Sequence, residues 1–223
     1  MIMRNKKIVV FDLDDTLYNE IDFLKSAFNE IAIKISNAIH INKELISSRM
    51  LDYFYDNKNV FIEIIKTYNL EFTVEELLSI YRNHQPSISL SEDRISVLNN
   101  LKKANIDLAL LTDGRSRQQR SKIMALGLST WFSEILISEE FGSEKPNINN
   151  YKHFENVFGI GQYFYIGDNL KKDFITPNKL DWITICLADN GLNIHEQNEA
   201  LLAKEYLAKH TITDFCQIET IIK

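Results

Sequence analysis

Five short apolar runs decide what this chain can fold into: Lys6 to Phe11, Ile106 to Thr112, Glu134 to Ser138, Gln162 to Asp168 and Trp182 to Ala188. The first is β-branched, apolar and unbroken, which predicts a strand covered on both faces. Helix-length segments separate the later runs. Ser91 can cap a helix through about Ala104, with Ile95, Leu98 and Leu101 on one face and Asn105 at its end. Arg115 to about Leu126, closed by Gly127, and Asn149 to Phe158 read the same way. Strands alternating with helices of this length imply right-handed βαβ units and a parallel sheet, an α/β architecture. The chain then reads as helix, a short strand at His210 to Ile212, and a final helix from about Asp214.

One block breaks the alternation. From about Ile21 to His84 the pattern is helical throughout, with Leu24, Phe28, Ile31, Ile35 and Ile39 at helical spacing, then Phe61, Ile64, Ile65 and Tyr68. Thr73 followed by Glu76 is a capping box. The block lies between the first strand and the next, so it reads as an insertion. The expected division is a core of residues 1–16 and 87–223 around an all-helical domain of 17–86.

The net charge of −6 disfavours nucleic acid as a general partner, and an anionic membrane surface equally. Two cysteines, Cys186 and Cys216, give no disulfide framework; they read as small buried hydrophobes in a reducing, cytoplasmic protein. The basic start, with Arg4, Lys6 and Lys7, is followed by an apolar run that fails after Phe11, too short for a signal peptide.

The strands end in chemistry. Asp12 and Asp14 follow the first, Thr112 and Asp113 end the second, Ser138 and then Lys145 follow the third, and Gly167-Asp168 closes the fourth. Open parallel sheets bind ligands beyond the carboxyl ends of their strands. Asp12 and Asp14 sit within about 7 Å of each other on an extended chain. Carboxylates so close raise each other's pKa unless a cation intervenes. Carboxylate and carbonyl oxygens suit Mg²⁺, which takes one or two carboxylates, waters and a substrate phosphate. Lys145, the Thr112 hydroxyl and backbone N–H groups at Leu13-Asp14 and Asp113-Gly114 would serve the remaining phosphate oxygens. Gly114 and Gly167 would let the backbone approach a ligand closely.

FDLDDT at 11–16, LLTDG at 110–114, EKP at 144–146 and GDNLKKD at 167–173 together resemble the four ordered motifs of the haloacid dehalogenase-like hydrolase superfamily. The resemblance covers nearly the whole chain and implies a Rossmann-like core, with the inserted block as a helical cap that closes over the substrate. It further implies a Mg²⁺-dependent phosphatase of a small phosphorylated metabolite, a sugar phosphate or nucleoside monophosphate. Asp12 would be the nucleophile that forms an aspartyl-phosphate, and Asp14 the general acid and then base. The Asp12 carboxylate, the Asp14 carbonyl and Asp168 would hold the metal. Thr112 and Lys145 would bind the phosphoryl group. Asp173, with Asn169, would stand behind them, orienting Lys145 or a metal-bound water. Dehalogenating members lack an acid at position 14, so Asp14 disfavours that activity. A phosphomutase, or a non-catalytic regulatory protein on the same fold, is the competing reading, and monomer or small homo-oligomer stays open.

Other features are blander. The five histidines have no ligand-like spacing and read as structural or exposed. Tyr53 to Asn57, YFYDN, reads as bundle packing ahead of ring stacking on a substrate. Arg115 and Arg117 fit a solvated helix start as well as an anion contact.

Overall fold

A computed structural model describes residues 6–222; of the basic start, Arg4 lies outside the described residues, while Lys6 and Lys7 lie within them. Six parallel strands form one sheet: β1 (Lys7–Phe11), β2 (Asp107–Thr112), β3 (Glu134–Ile137), β4 (Gln162–Gly167), β5 (Ile183–Leu187) and β6 (His210–Ile212). Their spatial order is β3-β2-β1-β4-β5-β6. The chain therefore builds outward from β1 to one edge, then returns to build from β4 to the other. Such a reversal opens a crevice at the carboxyl ends of the two strands flanking it, here β1 and β4. Register aims the motifs into it. Phe11 pairs with Leu110 on β2 and with Ile166 on β4, so Asp12, Thr112 and Asp168 emerge side by side.

The strands carry this order because they are apolar on both faces. Ile8, Val9, Val10 and Phe11 have no solvent exposure, and Leu108 to Leu111 are as deeply buried. Ile8 and Val10 pack with Tyr151, Phe154, Tyr165 and Trp182 on one side of the sheet. The covering helices of this part are α5 (Glu92–Lys103), α6 (Ser116–Ala125), α7 (Ser138–Phe141), α8 (Ile148–Phe158), α9 (Ile175–Lys179) and α10 (Gln217–Ile222).

Contacts divide the chain into two compact units, residues 1–20 with 89–223, and Ile21–Ile88. The second consists of helices: α1 (Glu20–Ile39, from its second residue on), α2 (Lys43–Tyr55), α3 (Val60–Tyr68) and α4 (Val74–Asn83). The Thr73–Glu76 capping box forms as its sequence predicts, and Asn42 and Asn59 cap α2 and α3. The rings of Phe23, Phe28 and Phe61 gather around Tyr81. Of the YFYDN segment, Tyr53 ties α2 to α3 through Thr67 at 2.6 Å, while Tyr55 is exposed.

Three expectations need correction. On α5, Val97, Leu98 and Leu101 are buried and Ile95 is exposed. The inward stripe runs 94, 97, 98, 101, and the half-buried Arg94 opens it by laying its guanidinium over the Phe215 ring at 4.7 Å. The stretch before His210 is not helical beyond two 3₁₀ turns, Glu199–Leu201 and Lys204–Tyr206. Asp189 accepts from the backbone of Gly191 and Asn193, and Asn190 from Leu192, turns that compete with a helix. Cys186 is buried as expected, but Cys216 is exposed. Among the described residues, no helix is long and apolar enough to cross a membrane.

Candidate active site

Asp12, Asp14, Thr112, Asp113, Lys145, Asp168 and Asn169 line one cavity at the carboxyl ends of the central strands. Asp15, Glu20, Lys172 and His195 complete its wall. Residues up to 183 positions apart in sequence, 12 to 195, are thus brought to one place.

Lys145 is the hub. Its side chain is 1% exposed, and the ammonium reaches Asp12 Oδ1 and Asp173 Oδ1, each at 2.7 Å, and the Tyr165 hydroxyl at 3.2 Å. Its three donors are therefore all used. Burial pulls its pKa down, but the Asp12 and Asp173 carboxylates outweigh burial and hold it well above the usual lysine range. Asp173 in turn accepts from four donors. Tyr165 and Lys145 sit on Oδ1, and the backbone N–H groups of Asp168 and Asn169 on Oδ2 at 3.2 and 2.9 Å. It thus fixes both the lysine and the turn that carries Asp168.

The glycines do other work than expected. A Cβ on Gly167 would lie 2.4 Å from Asp173 Oδ2, and one on Gly114 would lie 3.2 Å from Gln119 Cδ. The space beside both is taken by side chains of this chain, not left open for a ligand. Gly167→Ala is expected to displace the Asp173 carboxylate and loosen Lys145. It should cost more activity than stability, read by turnover beside a thermal melt.

Asp14 faces a separate set of donors. Its Oδ1 accepts from the Tyr18 hydroxyl and from Lys122 Nζ at 2.7 Å, its Oδ2 from Gln119 Nε2 at 3.0 Å. Gln119 also donates to Thr112 Oγ1 at 2.6 Å. Burial pushes the Asp14 carboxyl up, but the Lys122 charge and these hydrogen bonds bring it below the usual range. Glu20, 3.6 Å from Lys122, moves the other way, raised to about 8 by burial and by Asp14. Asp113 keeps its carboxylate on the Lys145 backbone N–H at 3.1 Å and on Lys172 Nζ at 2.9 Å.

The carboxylates on the other side are less fully neutralised. Asp12 is raised to about 7 by burial, only partly offset by Lys145. Asp168 is raised to about 9 by burial and the nearby Asp173 and Asp12 charges. Ligand oxygens of Asp12, Asp168 and Asp173 lie within 4.8 Å of one another. An all-oxygen donor set that is short of positive charge fits a hard divalent cation. Asp173 already accepts four hydrogen bonds, so Asp12 and Asp168 are the side chains open to one.

A family model described as haloacid dehalogenase-like hydrolase matches residues 9–185. The chain belongs to this family. The hydrolase is 24% identical over 228 residues to a glyceraldehyde 3-phosphate phosphatase of Methanocaldococcus jannaschii, covering 97% of each chain. It is 28% identical over 232 residues to the one of Methanothermobacter thermautotrophicus, covering 97% of this chain and 99% of that one. Its fold is shared with the crystal structure of the HAD-hydrolase YfnB of Bacillus subtilis, bound to magnesium, with a TM-score of 0.71 and 20% identity over 99% and 100% of the two chains.

The sequence reading missed several residues at this site. Arg115 and Arg117 are exposed; Gln119 and Lys122, on the same helix, are 2% and 1% exposed. The signal was weak, because 119, 122, 123 and 126 share one helix face but the first two are polar and mask it. His195 is exposed as expected, yet lies at the cavity wall. The non-helical stretch after β5 folds over Asp168: Asn193 donates to its carboxylate at 3.1 Å and Gln197 to its carbonyl at 2.8 Å. No local signal in residues 189–209 points to that.

Proposed function

We propose that this hydrolase is a phosphatase of a small phosphorylated metabolite, working through a phosphoryl-aspartate at Asp12. The observation that carries this reading is the gathering of Asp12, Thr112, Lys145 and Asp168, from the ends of four different chain segments, around one polar cavity. An Asp12 oxygen attacks phosphorus as the ester P–O bond breaks, and Asp14 gives its proton to the departing oxygen. Asp14 then takes a proton from water, which attacks the phosphoryl-aspartate, freeing phosphate and restoring Asp12. Approach of an anionic phosphoryl group favours the protonated form of Asp14 that the first step needs. The Thr112 hydroxyl holds one phosphoryl oxygen, and Lys145 holds another with the donor it releases from the attacking Asp12 oxygen. A divalent cation held by Asp12, Asp168 and the Asp14 carbonyl would supply the positive charge that lets an anionic nucleophile meet an anionic substrate. Mg²⁺ is the ion this donor set and the magnesium-bound fold relative support.

A sugar phosphate of triose size is the first substrate to try, because two relatives spanning nearly the whole chain are named for glyceraldehyde 3-phosphate. Assay of a panel of phosphorylated sugars and nucleoside monophosphates with Mg²⁺ is expected to release inorganic phosphate, and EDTA to abolish the release. An isomeric phosphate as product would make it a mutase instead. No product from any ester would leave a non-catalytic role.

A further inference from the structure

Two buried polar residues of α6 have no part in the mechanism above. Gln119 and Lys122 lie one turn apart, and both point at Asp14. A buried ammonium is costly, and an apolar residue at such a position is often as stable or more so. Lys122 is therefore a poor choice if filling space were its only task.

The hydrogen-bond pattern says more. An ionised Asp14 only accepts, so the Gln119 amide must turn its NH₂ toward it. That NH₂ has two hydrogens, and Thr112 Oγ1 lies within reach of the second at 2.6 Å. Thr112 Oγ1 thus accepts from Gln119, which leaves the hydroxyl's own hydrogen free to be donated elsewhere. A single amide sets the direction of both the carboxylate and the hydroxyl. Gly114 keeps room for it, since a Cβ there would press on the Gln119 side chain. Lys122 Nζ fixes the other Asp14 oxygen, and a second carboxylate, Glu20, lies 3.6 Å from the same ammonium.

We propose that Gln119 and Lys122 are positioning residues for proton transfer: together they aim the Asp14 carboxyl at the leaving oxygen, and Gln119 aims the Thr112 hydroxyl at the phosphoryl group. This rests on the reading of Asp14 as acid and base. In the step concerned, the Asp14 proton moves to the leaving oxygen as its bond to phosphorus breaks and the bond from Asp12 to phosphorus forms.

The test measures kcat/KM, which reports this first transfer, for Mg²⁺-supplemented protein across esters of rising leaving-group basicity. The series runs from p-nitrophenyl phosphate through phenyl phosphate to glycerol 3-phosphate. A nitrophenolate leaves without a proton; an alkoxide does not. Lys122→Met is expected to lose about 10- to 100-fold on the alkyl ester and under about threefold on the nitrophenyl ester, with Lys122→Arg recovering most of the loss. Gln119→Leu, which also frees the Thr112 hydroxyl, is expected to lose activity on every ester and about tenfold more on the alkyl than on the nitrophenyl one. Thermal melts establish folding, and Gln119→Leu, which strands no charge, decides the matter if Lys122→Met does not fold. A uniform loss across the series, or no loss, overturns the proposal. Asp14→Asn is run alongside. If it steepens the dependence and the α6 variants do not, positioning alone fails. If it leaves the dependence flat, the acid assignment fails and takes the proposal with it.

Discussion

Asp12→Asn is expected to abolish turnover, with kcat down by at least about 10⁴-fold, while the protein stays folded. Loss of a covalent nucleophile costs on the order of 10⁶-fold in a serine protease, so the stated drop is conservative. Stability should be kept because the native carboxylate is held in an unfavourable place. Burial raises its pKa to about 7, which means the fold resists its charge. Asparagine has the same shape without that charge, and Lys145 retains Asp173 at 2.7 Å. Thermal melting of the metal-free variant should therefore match or exceed the parent protein. A stability gain alongside a loss of activity marks a group placed for chemistry against the preference of the fold.

Lys145→Met carries the second large effect, and here stability and activity fall together. The ammonium is the cation between Asp12 and Asp173, each on it at 2.7 Å and both buried. Removing one partner of a buried ion pair costs about 3–5 kcal/mol, because the charge left behind has no compensation. Loss of its contact to the phosphoryl group should cost a further 10²- to 10³-fold, roughly, in kcat. Chemical denaturation and phosphate release read the two losses. Adding Asp12→Asn to Lys145→Met should recover part of the stability and none of the activity. If the single variant melts like the parent, the charge balance described for this site is wrong.

Much of this arrangement was legible in the sequence because buried parallel strands announce themselves as unbroken apolar runs. Ile8 to Phe11 and Leu108 to Leu111 can only be covered on both faces, and the first polar residue after each run has to emerge at the rim. Asp12, Thr112 and Asp168 were found for that reason. Gln119 and Lys122 were not, since α6 reads SRQQRSKIMA, a helix so polar that its inward face is hidden among its outward ones. The Arg94 face of α5 was missed for a related reason: a long cation can cover an aromatic ring, and binary patterning counts it as surface. Gly114 and Gly167 show a different limit. The sequence says that a side chain is absent, and only the fold says that Gln119 and Asp173 take the space. The stretch from Asp189 to Gln197 depends on contacts with Asp15 and Asp168, more than twenty residues away or farther, which local pattern cannot carry.

The proposed chemistry requires Asp12 to take up a phosphoryl group during turnover. Acid quenching of the Mg²⁺-supplemented protein while it hydrolyses p-nitrophenyl phosphate, followed by peptide mass analysis, tests it directly. One added phosphoryl group is expected on the peptide containing Asp12, absent from Asp12→Asn protein. Steady turnover by Asp12→Asn protein, or a phosphoryl group found on another residue, would contradict it.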